Sequence, residues 1–161
     1  MIIILFVLAG AGKNFVGDIL SSQFDFHFWD ADELLPEDMR KAIQQKQLFT
    51  QEMRDHFTQI IIAKIKTLEG QHQKLVIAQA LYKEKNRQEI ASVFPQAKWL
   101  WIQASTDVIS ARLRERNDWV DDSFALKIFS QFESPILTHG KIVNNQGRDE
   151  VIQQLKKQLQ N

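Results

Sequence analysis

The sequence predicts an α/β fold of three layers, a parallel sheet of about five strands with helices on both faces. Three observations lead there. Strand-like and helix-like runs alternate along the chain, the pattern of right-handed crossovers between parallel strands. The first strand is apolar throughout, as in a strand covered on both faces. Glycines and a lysine follow it directly and open a helix. At 161 residues, 44% hydrophobic and 25% charged, the chain suits one ordered domain, expected over residues 1–161.

Ile2 to Leu8 reads as the first strand and Lys13 to Ser22 as a helix. Phe26 to Trp29 is a second strand that ends at Asp30. Helical stretches follow near Pro36 to Lys46 and from Thr50 to Leu68. In the latter, Met53, Phe57, Ile60, Ile61 and Ile65 recur at helical spacing. Leu75 to Ala78 is a third strand, Lys83 to Val93 a helix stopped by Pro95, and Trp99 to Ile102 a fourth strand. Thr106 to Arg116 is helical, with Thr106 and Asp107 as expected caps. After the polar run Asn117 to Asp122, Ser123 opens a helix to about Glu133. Ile142-Val143 is a short fifth strand, and Asp149 to Leu159 an amphipathic terminal helix. In open parallel sheets ligands bind beyond the carboxyl ends of the strands, so the residues after Leu8, Trp29, Ala78 and Ile102 are the ones to inspect.

Composition removes whole classes of function. Lys+Arg and Asp+Glu are 20 each; a neutral chain has no bulk attraction for nucleic acid or anionic lipid, so neither is an expected partner. There is no cysteine, which excludes disulfides, thiolate metal sites and a cysteine nucleophile and fits a cytoplasmic location. Met1 to Leu8 lacks the leading positive charge of a signal peptide and is too short to span a bilayer. The four histidines are scattered without metal-ligand spacing, and Trp99 and Trp101 read as packing residues. The expected partner is a small molecule, for a monomer or a homodimer.

Gly10-Ala11-Gly12-Lys13-Asn14 sits between strand and helix. The phosphate-loop pattern is Gly, four residues, Gly-Lys, then Ser or Thr. Its glycines let backbone N–H groups turn inward, the helix adds its N-terminal dipole, and the lysine reaches the terminal phosphates. Gly10, Ala11, Gly12, Lys13, Asn14 and Phe15 are therefore the expected ATP-binding residues. Val7 replaces the first glycine, and Asn14 replaces the hydroxyl that ligates Mg²⁺; its amide oxygen can serve directly or through water. The competing dinucleotide fingerprint fits Gly10, Gly12 and Asp30 but meets Phe15 where a small residue is needed.

Asp30 and Asp32 follow the second strand and alternate, so both can face the sheet's carboxyl edge. There one can take a proton from a hydroxyl or hold Mg²⁺ through water, and the other can accept bonds from a substrate. A plainer role for either is capping the next helix.

Gly10 to Lys13 followed by Asp30-Ala31-Asp32 resembles the small-metabolite kinases of the P-loop superfamily, among them shikimate kinase and gluconokinase. The gluconokinase likeness continues in order through Phe49 to Arg54, through Gln79 to Leu81 with Lys83, Asn86 and Arg87, through Ile109 to Arg116, and through Ser130 to Pro135. Departures fall on the acceptor side: Leu35 where gluconokinases have His, Asp55-His56-Phe57 for Trp-Pro-Trp, and Gln79 for a small hydroxyl residue. The resemblance implies a P-loop fold, ATP and Mg²⁺, acceptor-binding helices over about 33–68, and a lid over about 114–124. It also implies roles. Arg116 contacts the transferring phosphoryl group, Arg112 stacks near adenine, and Arg114 belongs to a solvated face. Arg54 and Arg87 are candidates for the acceptor's carboxylate, a task to which a planar guanidinium is suited; Arg54, on the acceptor helix, has the stronger case, and Arg87 could equally pair with Glu84 or a neighbouring acidic residue.

These readings converge on ATP-dependent phosphoryl transfer to a hydroxyl of a small polar, anionic metabolite, gluconate-like or shikimate-like. Lys13, Asp30 and Arg116 would be catalytic; Asp32, Arg54 and Arg87 would bind the acceptor; Asn14 and Asp30 would hold Mg²⁺. The alternative is a nucleotide-binding protein with weak or lost kinase activity, for which Val7 and Asn14 speak.

Overall fold

A computed structural model describes residues 1–8, 10–115 and 122–160. In chain order the elements are β1 (Ile2–Val7), α1 (Lys13–Phe24), β2 (His27–Asp30), a one-turn 3-10 helix (Ala31–Leu34), α2 (Glu37–Gln44), α3 (Gln51–Glu69), β3 (Leu75–Gln79), α4 (Glu84–Val93), β4 (Lys98–Gln103), α5 (Thr106–Glu115), α6 (Asp122–Ser130), β5 (Gly140–Val143) and α7 (Arg148–Gln160). The strands form one parallel sheet in the order β2-β3-β1-β4-β5. The expected α/β architecture is present, with element ends displaced by one to three residues.

Strand β1 lies at the centre because it alone has nothing polar to show either face. Ile2, Ile4 and Phe6 meet Phe57, Ile61 and Ile65 of α3 and Ile90 of α4. Ile3, Leu5 and Val7 meet Val16, Ile19 and Leu20 of α1, Ile109 of α5, and Val151 and Leu155 of α7. Burying such side chains stabilises the fold by about 1.5–3 kcal/mol each. No helix among the described residues is long and apolar enough to cross a membrane.

Local sequence fixes how the helices approach this sheet. Thr50 caps α3 by accepting a bond from the Met53 N–H at 3.1 Å. At α5 the cap is Ser105, whose Oγ accepts from the Val108 N–H at 3.3 Å, and neither Thr106 nor Asp107 supplies it. Helix α1 comes closest to the sheet at Gly17, where a Cβ would enter the ring of Phe28. Phe15 is 37% exposed. The position that a dinucleotide fold needs small is thus not the point of close packing, which removes that reading. Asp55 braces α3 to α4: Lys85 Nζ lies 2.6 Å from it and Asn86 Nδ2 donates to it at 3.0 Å. Hydrogen bonds from Lys85, Gln51 and Asn86 hold its pKa down to about 2.

Candidate active site

The carboxyl ends of β1, β2 and β3 bring together the loop, the carboxylates and a cavity. Gly10 and Gly12 adopt φ values of 83° and 95°, the left-handed region that glycine enters without strain. Gly12 precedes α1, whose first turn has no side-chain cap and no acidic residue. The N–H groups there are the orphan donors of a helix start, suited to an anion. Phe15 lies in this first turn.

The loop is held from behind. Arg112 Nη1 donates to Gly10 O (3.4 Å) and Ala11 O (3.3 Å), and its Nη2 to Asn144 O (3.1 Å). Asn144, buried at the end of β5, donates from Nδ2 to Ala11 O at 3.0 Å. A peptide group is planar and trans, so an Ala11 carbonyl fixed backward aims the Gly12 N–H forward. Arg112 thus holds the loop by its N–H edge, a contact that the expected stacking near adenine did not include. Asn144 was not visible as a site residue in the sequence; it lies 133 positions from Ala11, and no motif marks it. Val7, in place of the first glycine, remains inside β1.

In front, Lys13 Nζ lies 2.9 Å from Asp30 Oδ1 and 2.7 Å from Asp32 Oδ2. It also donates to Asn14 Oδ1 at 3.4 Å. Of the roles weighed for the aspartates, capping is present at Asp30. Asp30 Oδ1 caps the 3-10 helix by accepting the Asp32 N–H at 3.0 Å and also faces Lys13. Asp32 Oδ1 accepts from Gln79 Nε2 at 3.2 Å. Of the two, Asp32 lines the adjoining cavity and Asp30 does not. Asn14 and Asp30 offer oxygen ligands beside Lys13, a donor set that suits Mg²⁺ shared with phosphates. Among the described residues no three His, Asp or Glu side chains group as a metal site. The histidines are less scattered than their spacing suggests. The rings of His27 and His72 stack 3.7 Å apart, His27 opening β2 at the amino edge of the sheet, away from this site.

The cavity measures about 360 Å³ and runs from Val7, Lys13 and Asp32 to Arg54, between α2, α3 and α6. Arg54 projects from the first turns of α3, its guanidinium 5.5 Å from the Phe49 ring centre and 5.7 Å from that of Tyr82. Its Nε is buried without a hydrogen-bond partner. Burial draws its pKa below the ordinary guanidinium value, against the opposing pull of Tyr82 and Glu133; an arginine stays charged regardless.

Arg87 corrects the sequence reading. It is fully buried. Nε donates to Leu81 O at 2.7 Å, Nη1 to Glu84 at 2.7 Å, and Nη2 to Tyr82 O at 2.9 Å and Glu133 O at 2.6 Å. No acceptor carboxylate can reach a guanidinium so enclosed. Its work is structural: Leu81 sits at φ 44°, a conformation that costs a non-glycine residue about 1–3 kcal/mol, and Arg87 binds its carbonyl. Arg114 is exposed on α5, as a solvated face requires. Arg116 and most of the expected lid lie outside the described residues.

A parallel sheet with a glycine loop, a lysine and paired carboxylates at its carboxyl edge defines a P-loop kinase of small molecules. More particularly, the chain belongs to the shikimate kinase family, whose model matches residues 9–159. No curated protein matches the sequence. Among solved structures, a sugar kinase from Janibacter sp. superposes with a TM-score of 0.84 at 16% identity, covering 99% of this chain and 94% of that one. A gluconokinase from Sinorhizobium meliloti gives 0.81 at 16% identity, covering 98% and 90%. A shikimate kinase from Aquifex aeolicus gives 0.59 at 19% identity, covering 99% and 96%. At these identities the likenesses speak for the fold. The family membership makes the protein a nucleotide-using small-molecule kinase.

Proposed function

We propose that the protein transfers the γ-phosphoryl group of ATP to a hydroxyl of a small anionic hydroxy acid, the class that includes gluconate and shikimate. The observation that carries this reading is one cavity bounded by Lys13 and Asp32 at the phosphate loop and by Arg54 at its far end. ATP phosphates lie on the N–H groups that follow Gly10 and Gly12. The acceptor's anion meets Arg54, which holds its hydroxyl near Asp32. A bond forms between the hydroxyl oxygen and the γ-phosphorus, the bond from that phosphorus to the bridging oxygen breaks, and ADP leaves. The hydroxyl proton passes to Asp32, the carboxylate that faces the cavity, while Asp30 fixes the positions of Lys13 and Asp32. Lys13 offsets charge on the phosphoryl oxygens, and Arg116 does so by resemblance. Asn14 and Asp30 would hold Mg²⁺, which supplies further neutralisation of phosphate charge. Arg112 and Asn144 act indirectly by keeping the loop in place.

The test is acceptor-dependent release of ADP with Mg²⁺ and a panel of hydroxy acids, with the phosphorylated acid identified by mass spectrometry. One acid turned over in proportion to enzyme supports the proposal. Tight ATP binding with no acceptor-dependent turnover would favour the nucleotide-binding alternative, for which the Val7 and Asn14 replacements speak.

A further inference from the structure

The walls of the acceptor cavity are hydrocarbon. Leu35, Met39, Ile43, Phe57 and Ile61 supply them, from the segment before α2, from α2 and from α3. The polar side chains that also border the cavity are largely engaged with one another. Gln79 donates to Asp32 and accepts the Ala80 N–H. Asn86 is held between Gln51 and Asp55. The Thr58 hydroxyl donates to Arg54 O at 2.8 Å. Besides Gln47, which is exposed, and Tyr82, two charged ends border the cavity. One is Arg54, with its buried Nε lacking a hydrogen-bond partner. The other is the Lys13–Asp32 pair.

A polyhydroxylated acid placed here would bury hydroxyl groups against carbon, where each loses its bonds to water without replacement. A hydrocarbon body between the same two ends would instead gain from leaving water. A single guanidinium balances one negative charge, so a carboxylate suits it better than a doubly charged phosphate ester.

Resting on the kinase reading above, we propose that the acceptor is a monocarboxylic hydroxy acid with a largely hydrocarbon body. Its carboxylate lies on Arg54, its one reacting hydroxyl lies at Asp32, and few or no other hydroxyls stand between them. On this account gluconate and shikimate are poor acceptors, and the cavity selects by what its walls cannot pair.

The experiment uses the full chain with ATP and Mg²⁺. It compares gluconate, shikimate, hydroxymethyl-cyclohexanecarboxylate, hydroxyhexanoate and the neutral cyclohexylmethanol. The expected kcat/KM for the better apolar-bodied acid exceeds that for gluconate and shikimate by about tenfold or more, the scale on which apolar pockets discriminate. It exceeds that for the neutral alcohol similarly, and Arg54→Ala abolishes this second preference. Preference for gluconate or shikimate overturns the inference and leaves the kinase reading intact. Calorimetric binding of the same compounds separates the two failures. Tighter binding of the apolar-bodied acids without any turnover supports the cavity's selectivity and overturns the kinase reading. Equal or tighter binding of gluconate, or no binding of the apolar-bodied acids, overturns the inference.

Discussion

Arg54 on α3 and Arg87 on α4 both touch Tyr82, Arg54 across the face of its ring and Arg87 through its carbonyl. The sequence offers both for the acceptor's carboxylate, Arg54 with the stronger case and Arg87 with Glu84 as its other partner, and the Arg87–Glu84 pair is the one present. Arg87 has four of its five N–H directions taken by two main-chain carbonyls beside it, a third on Glu133 and the Glu84 carboxylate. Arg54 borders a cavity with its Nε lacking a hydrogen-bond partner and its guanidinium over the rings of Phe49 and Tyr82. The difference teaches that an arginine's use is read from what its N–H groups already hold.

The comparison breaks first on stability. Arg87→Ala removes one donor each from Glu84 and three carbonyls, and we expect a loss of about 3–5 kcal/mol in urea denaturation. Arg87→Lys should recover little of it, because an ammonium cannot reproduce the planar fork. A stable Arg87→Ala variant would mean that the enclosed guanidinium does not hold the β3–α4 connection. Next comes Lys13, which pairs with Asp30 and Asp32 beside the glycine loop. Lys13→Ala should lower kcat by about 2–4 kcal/mol of transition-state stabilisation with little change in melting temperature. Unchanged turnover in the folded variant removes it from the phosphoryl site. Arg54→Ala should weaken acceptor binding by about 1.5–3 kcal/mol, as for a lost hydrogen bond to a charged group. Steady-state kinetics should show this as a raised acceptor KM with the ATP KM and the stability nearly unchanged. A fall in stability like that of Arg87→Ala would erase the distinction drawn between the two arginines. The smallest effect is expected at Asn14. Asn14→Ser should shift the Mg²⁺ concentration for half-maximal activity by an amount worth about 0.5–1.5 kcal/mol, read by titration at saturating ATP. No shift would place Asn14 outside the metal's shell.

What was legible followed from local rules. The apolar run of β1 and the alternation of elements specify the sheet. Gly10, Gly12 and Lys13 mark the loop because positive φ and a reaching ammonium need those residue types at that spacing. Asp30 and Asp32 declared themselves by following a strand end. What was illegible depends on distant main chain. Arg87 is explained by Glu133 O, 46 positions away, and a carbonyl leaves no trace in the residue type that carries it. Arg112 and Asn144 support the loop through Gly10 O and Ala11 O for the same reason. The apolar lining of the cavity also escaped the sequence. Met39 and Ile43 of α2 carry no motif in the sequence, and only the packed structure places them along the cavity.

Lys13 sits between two carboxylates, and this gives the two substrates a common ledger. A nucleotide that draws the ammonium onto its phosphates takes it from Asp32, whose Oδ2 then opens to the acceptor. Acceptor affinity should therefore rise with nucleotide occupancy, and by thermodynamic reciprocity nucleotide affinity should rise by the same factor with acceptor bound. One side chain exchanging partners in this way favours an order of addition, nucleotide before acceptor.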